Sequence, residues 1–239
     1  MGLAQSMNKA VHQQLASYIA WMPIVNTFKI GEFGIFSDGV FQSLGNVKDK
    51  YPGINLKTEA GPPAEIDFLS AGTKTIKIDA NGNTVTSFAG LGNAEATLKF
   101  VFETANSCKL TAKLTSVELK NIDEVASFLA KQKNWRNKFS VVSKTYSGEN
   151  CVVICSREAG TEIEIKAGAD ILKQIETGKV NGGFEFKSNK DSTFKAIGET
   201  GILALSLFKL NIFNRPTVLA AAEPEFKVEE VKGEVEDDY

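Results

Sequence analysis

The chain has 239 residues, 43% of them hydrophobic, with 27 lysines and arginines against 29 aspartates and glutamates, one histidine and a net charge of −2. That is enough apolar material for one large domain or two small ones, and it excludes a disordered chain. No run of about 18 apolar residues predicts a membrane-spanning helix, and no arginine-rich stripe with interleaved aromatics points to nucleic acid.

Residues 1–6 fit the loose N-terminal myristoylation pattern, and no basic start followed by an apolar core suggests a signal peptide. Met7, Ala10, Val11, Leu15, Tyr18 and Ile19 recur at helical spacing, which predicts an amphipathic helix over 6–21, limited by Pro23. His12 falls on this helix as a boundary side chain. From 24 to 44, glycines break short apolar runs, and Asp38-Gly39 is a two-residue hairpin signal. These glycines form no nucleotide-binding fingerprint, because no strand, glycine loop and helix follow in that order. Residues 51–63 hold three prolines and two glycines and read as a loop.

A ladder of amphipathic strands follows. Residues 73–78 alternate, Asn81-Gly82 turns the chain into 84–88, Leu98, Phe100 and Phe102 share one face of 94–104, and 109–119 alternates again. Asn121 and Glu124 suit a capping box for a helix over 121–134. Residues 139–145, 151–155 and 161–166 then read as two or three consecutive strands, with turns at 147–150 and 158–160. A short segment at 171–175, a Gly182-Gly183 turn and a strand at 183–187 precede 201–213, which is apolar on both faces and reads as a central buried strand.

Cys151 and Cys155 lie four positions apart in one strand, roughly 13 Å between Cα atoms, so they cannot pair. Together with Cys108 they read as reduced core thiols of a cytoplasmic chain. One histidine and no ligand spacing leave no metal site, no cofactor and no nucleophile–base pair. Asp38, Asp67, Asp79 and Glu95 are carboxylates near turns, but nothing pairs any two. No catalytic residue is expected, and the chain reads as a non-enzyme.

The last 17 residues change character. Residues 223–239 carry eight acids against Lys227 and Lys232, which leaves the body before them at +4, almost wholly from lysine. Two segments follow: a single α+β domain over 1–213, and an acidic tail over 214–239 that is either inhibitory or simply solvated.

The order of elements from 116 to 213 resembles the second half of the pore-forming domain of gasdermins. The residues concerned are the strand at 116–119, NIDEVASFLAKQKNW at 121–135, KFSVVSKTY, CVVICSREAG and GETGILALSLFKL. Gly201 to Leu207 is similar to that family's closing strand without its usual arginine, and Met22-Pro23-Ile24-Val25 is similar to its helix-to-proline start. The resemblance covers about 6–213 and is to the bacterial type with a short C-terminal segment. No cysteine precedes Cys108, although bacterial members often carry an acylated one near the N-terminus.

The resemblance implies a large, twisted, mainly antiparallel sheet with peripheral helices. It further implies a cytoplasmic, autoinhibited effector of cell death or defence that relocates to a membrane. An activating protease would cut the C-terminal segment, in a region holding Arg215, Thr217, Leu219 and Ala220. Many copies would then insert β-hairpins, with 74–88 and 98–119 as the membrane-seeking segments and 137–166 as rigid core. Lys99, Lys109, Lys113, Lys138 and Lys144 are the candidate contacts to anionic lipid. The alternative is a β-rich binding or self-assembling protein.

Overall fold

The computed structural model describes residues 2–21, 23–178 and 180–219. In chain order its elements are α1 (Leu3–Leu15), β1 (Tyr18–Ile19), β2 (Glu32–Ser37), β3 (Val40–Asn46), α2 (Val47–Lys50), β4 (Thr58–Leu69), β5 (Thr73–Ile78), β6 (Thr84–Val85) and β7 (Glu95–Phe102). They continue with β8 (Ser107–Leu119), α3 (Ile122–Ala130), β9 (Ser140–Ser156), β10 (Thr161–Gly168), α4 (Ala169–Thr177), β11 (Glu185–Ser188), β12 (Thr193–Leu210) and β13 (Pro216–Val218).

The strands form two antiparallel sheets. In the first, β4, β8, β9 and β12 lie side by side. β1 and β13 pair with β12, and the β2–β3 hairpin joins β9 at Phe33↔Val141. The second runs β6-β5-β7-β10-β11. The architecture is therefore α+β, antiparallel with peripheral helices, as expected, and its strands are divided between two sheets.

Strand β9 explains the layering. Its odd-numbered Cys151, Val153 and Cys155 face a core under α1 that includes Met7, Leu110, Leu114 and Leu203. Its even-numbered Val152 and Ile154 face a second core between the sheets, with Leu98, Phe100, Ile163, Ile165 and Leu172 of α4. A third core joins Val125, Ala126 and Leu129 of α3 to Phe33, Val141, Phe208 and Leu210. Residues 203–208 of β12 are all buried, which makes that half of β12 the central strand its two-sided apolar pattern predicts.

The expected turn at 147–150 is not a turn. β9 runs straight through it, and both neighbours record the same disturbance: partners shift between Thr111 and Leu114 of β8, and again between Glu199 and Gly201 of β12. Asn150 takes φ 55°. A glycine and an asparagine that tolerate unusual backbone serve a bulge as well as a turn. With a partner strand on each edge the chain continues, so the bulge is what forms. Gly148 is also required sterically, since a Cβ there would lie 2.3 Å from Cys151 Sγ.

Other boundaries move for similar reasons. α1 ends at Leu15, well before Pro23, because Ala16 turns left-handed (φ 47°) and Tyr18 and Ile19 pair with Leu205 and Ala204 of β12. Pro62 and Pro63 sit inside β4 at an irregularity between Gly61 and Ala64, where missing N–H groups cost no ladder bond. α3 stops at Ala130, short of 134, and Asn121 occupies its N-cap position without a side-chain capping bond. The Asn121 amide instead accepts from Lys57 N and donates to Asn55 O and Glu124 Oε2. The segment at 171–175 is helical. The strand expected at 84–88 shrinks to β6, whereas Asp38 and Gly39 make the expected positive-φ hairpin turn.

Gly201 passes so close to Ile24 that a Cβ would lie 2.0 Å from its carbonyl oxygen, whereas a Cβ on Gly183 meets nothing within 4 Å. Gly201→Ala is expected to destabilise the chain by about 1–3 kcal/mol or more through overpacking, and Gly183→Ala by much less. Urea unfolding of the two variants against the parent checks this, and equal midpoints would contradict the packing described.

Candidate functional site

Four stretches of chain lie next to one another and each crosses from the first sheet to the second: 58–78, 95–119, 140–168 and 185–210. β4 and β5 pair with β8 and β7, β9 and β10 pair with β8 and β7 from the other side, and β12 and β11 pair with β9 and β10. The result is two long antiparallel hairpins, 58–119 and 140–210, bent at one common level. The bends are 70–72, 103–106, 157–160 and 189–192. The sequence patterns point only to the first hairpin as membrane-seeking. The second has the same construction and includes most of the stretch expected to be rigid core.

The bend line carries a set of backbone and hydroxyl bonds. Ser70 N donates to Cys108 O (3.0 Å), Glu103 N to Gly72 O (3.2 Å), Gly160 N to Phe102 O (2.8 Å) and Arg157 N to Ser192 O (3.2 Å). Ser107, Ser156 and Thr161 are buried. Ser107 Oγ donates to Thr104 O (2.8 Å), and Ser156 and Thr161 share a hydrogen bond of 2.5 Å. Gly72, Gly160 and Asn106 supply the positive φ that the bends require.

Two edges are protected. The outer edge of β4 is met by Gln14 of α1, whose amide donates to Asp67 O (3.0 Å) and accepts from Asp67 N (3.2 Å), taking the place of a strand. At the tip of the first hairpin, Lys77 pairs with Glu176 of α4 (2.6 Å) and lies over the Phe88 ring.

Four of the five candidate lipid-contacting lysines are paired with carboxylates. Lys99 reaches Glu162 (2.6 Å) and Glu164 (3.6 Å), Lys109 pairs with Asp67, Lys113 with Glu65 (3.1 Å) and Lys144 with Glu118 (3.6 Å). The hydrogen bond to Glu162, then the Glu162 and Glu164 charges, raise the Lys99 pKa. The Lys120 ammonium at 2.5 Å, with the Lys144 and Lys120 charges, holds Glu118 below its ordinary value. Lys138 is exposed and stands apart in the loop before β9. Of the carboxylates near turns, Asp67 is the one drawn into this ladder. Asp79 is a turn residue, lowered by hydrogen bonds to the backbone and side chain of Asn83 and the backbone of Asn81.

In the expected cleavage region, Arg215 is exposed in the turn closing β12 to β13, and its N–H donates to Asn211 Oδ1 (3.0 Å). Thr217 is exposed on β13 and pairs with Lys209. Leu219 accepts a hydrogen bond from Tyr18 Oη (2.7 Å). Ala220 and the acidic residues after it lie outside the described residues.

Cys108 and Cys155 are direct partners across β8 and β9, and Cys155 Sγ lies 3.6 Å from Met7 Sδ. This pair escapes sequence spacing because its members are 47 positions apart; only the β8–β9 register joins them. All three thiols are free and buried. Burial raises Cys155 well above its ordinary value, and burial followed by the Glu149 charge pushes Cys151 up to about 12.

No protein-family model and no curated protein matches the sequence. Among solved structures, the chain is similar to the cryo-EM structure of the gasdermin A3 membrane pore, at 10% identity and a TM-score of 0.38, over 95% of this chain and 98% of that one. It is also similar to a bacterial gasdermin from Bradyrhizobium tropiciagri, at 13% identity and a TM-score of 0.37, over 91% and 90%. At this level of likeness, the chain's own geometry has to carry a functional reading.

Two outcomes follow. Glu118, Asp79 and Glu124 are all held below their ordinary values, so in that window the unfolded chain binds protons that the folded chain does not. Their stabilisation is complete above the ordinary carboxylate range and is lost as pH falls through the folded values. The urea midpoint is expected to fall between about pH 6 and about pH 3, with a shallower fall in Glu118→Gln; an unchanged slope would remove Glu118 from the account. Second, a thiol reagent at about pH 8 is expected to modify the folded chain far more slowly than the urea-unfolded chain, where all three thiols are open. Fast reaction of the folded chain would contradict their burial.

Proposed function

We propose that this chain is a non-enzymatic, membrane pore-forming effector. Its two bent hairpins straighten at the bend line and, with further copies of the chain, close a β-barrel in an anionic membrane. One observation carries this reading. In an extended chain, residues of one parity share a face. From the bulge in β9 onward, the side of each inner arm that faces the core under α1 keeps its parity through the bend, although the folded protein divides it between two cores and β9 carries a second apolar side at Val152 and Ile154.

On 95–119 that side is Ala96, Leu98, Phe100 and Phe102, then Cys108, Leu110, Ala112 and Leu114. The first four face the core between the sheets, and the last four face the core under α1. On 140–168 it is Cys151, Val153 and Cys155, then Ile163, Ile165 and Ala167, divided the same way. Phe186 precedes Phe194 and Ala196 at even positions on the fourth arm. The first arm is less clean. Ile66 and Phe68 share parity with Ile76 and Ile78, but Lys74 interrupts them.

Two separate cores do not need a shared parity across a bend, whereas a straight strand with one lipid face does. β4, β8, β9 and β12 have 12, 13, 17 and 18 residues before any extension into the second sheet, above the 9–11 or so that span a bilayer. Hydrocarbon tolerates no open edge, so a chain with four such arms requires many copies to close a wall. Gln14 at the β4 edge and the Lys77–Glu176 pair would have to release first.

The closed form is a cytoplasmic one held by its C-terminal segment, and a protease activates it. β13 and Leu219 are tied to β12 and Tyr18, so the cut falls after Leu219, in the chain leading to the acids of 223–239. A recognition site for a sequence-specific protease, placed after Leu219 in the full chain, provides the test. Vesicles containing phosphatidylglycerol are expected to release trapped dye only after cleavage. No release from cleaved protein would sink the proposal, and assembly without lipid or cleavage would favour the self-assembling alternative.

A further inference from the structure

Three sulfur atoms meet in the core under α1, each brought there by a different element. Met7 belongs to α1, Cys108 to β8 and Cys155 to β9, and all three are buried. Cys155 Sγ lies 3.6 Å from Met7 Sδ. The two cysteines are direct partners across the strand pair, and the bonds around Cys108 define what kind. Cys108 N donates to Ser70 Oγ (2.8 Å) and Cys108 O accepts from Ser70 N (3.0 Å), so both backbone groups turn away from β9. Cys108 and Cys155 are therefore a non-hydrogen-bonded pair, the kind whose Cα atoms come within about 4.5 Å and whose side chains lie closest.

Two thiols and a thioether at this spacing form a donor set. Three sulfurs bound to one metal at roughly 2.3 Å each, an ordinary metal–thiolate length, stand roughly 4 Å apart in a trigonal arrangement. The Cys155–Met7 contact is already on that scale. Ser70 Oγ lies 3.7 Å from Cys108 Sγ and can donate to it, a supporting contact of the kind that fixes a ligand. A cavity of about 210 Å³ lined by Leu3, Met7, Trp21, Arg157 and Phe194 opens beside Met7, so an entering ion meets the thioether first and the thiols behind it. No cluster of three His, Cys, Asp or Glu residues occurs among the described residues. The third donor here is a methionine, and positions 7, 108 and 155 are too far apart for spacing in sequence to join them.

We propose that Met7, Cys108 and Cys155 form a binding site for a single Cu(I) ion. The choice of metal follows from the donors. Thiolate and thioether sulfur favour Cu(I), zinc or iron–sulfur clusters. Zinc and the clusters take four ligands as a rule, whereas this set offers three, without imidazole or carboxylate; calcium and magnesium need oxygen. On binding, each thiol gives its proton to water as its sulfur–copper bond forms, and the thioether adds a lone pair. The copper stays in its +1 state, so no oxidant or reductant takes part. A filled site ties α1 to the two inner strands, and α1 is the element whose Gln14 covers the β4 edge. The site is independent of the pore-forming reading.

The test titrates the full chain with Cu(I) under nitrogen, in competition with a chromophoric Cu(I) chelator. One equivalent is expected to pass to the protein, with an X-ray absorption spectrum that shows sulfur neighbours only. Loss of a supporting partner costs a metal site about 10–100-fold, so Cys108→Ala and Cys155→Ala are each expected to weaken binding by about 100-fold or more. Met7→Leu, which keeps the core volume, is expected to weaken it by about tenfold. Cys151→Ala, in the same core but without a second sulfur beside it, should leave binding unchanged. Amide hydrogen exchange in α1 should slow when Cu(I) is added to the parent, and less so in Met7→Leu.

No transfer of Cu(I) to the folded parent overturns the site, and so does displacement of bound copper by an equal concentration of Zn(II). A loss in Cys151→Ala equal to that in Cys155→Ala, or exchange in α1 that bound copper does not slow, overturns it as well.

Discussion

Strand β9 is paired along both edges and buried on both faces, and the other elements are placed by it. On one edge it holds β8 and, at its start, β2; on the other it holds β12. Its odd side chains require a cover, which α1 provides, and its even ones require another, which the second sheet and α4 provide. A strand in that position cannot slip by one residue without exchanging the contents of two cores. The bulge at Glu149 and Asn150 is tolerated because both neighbours shift with it.

The second sheet is attached differently. Its inner face is apolar, yet the line joining it to the first sheet is made of serine and threonine hydroxyls and a few backbone bonds across short turns. Such bonds exchange for water at a net difference of about 0.5–1.5 kcal/mol each, whereas the apolar core between the sheets loses its stabilisation only when its whole area is exposed. The fold thus places backbone and hydroxyl bonds across short turns where four strands bend together, beside the core between the sheets.

Charge is divided with similar consistency. On the faces of the arms, lysines alternate with carboxylates on the neighbouring strand, and pairing lowers their value as contacts for an outside anion. Partly exposed pairs of this kind add only modest stability individually, but they neutralise the sheet's outer surface.

Much of this was legible in sequence. Alternation identified the strands at 73–78, 94–104, 109–119 and 161–166, helical spacing placed α1 and α3, Asp38-Gly39 marked a hairpin, and two-sided hydrophobicity marked 201–213 as central, of which 203–208 is buried while Ile212 and Phe213 lie exposed beyond the strand. These are local properties, set by side-chain period and by which residues accept positive φ. What sequence could not decide depended on partners: a turn-like Ser-Gly-Glu-Asn became a bulge because strands lay on both sides, and two prolines entered β4 where a ladder irregularity left their positions unpaired. Lys99, Lys109, Lys113 and Lys144 resembled open cations until register set carboxylates beside them, and Cys108 met Cys155 through register alone. The period of a chain fixes which side chains share a face; only tertiary pairing fixes what that face meets.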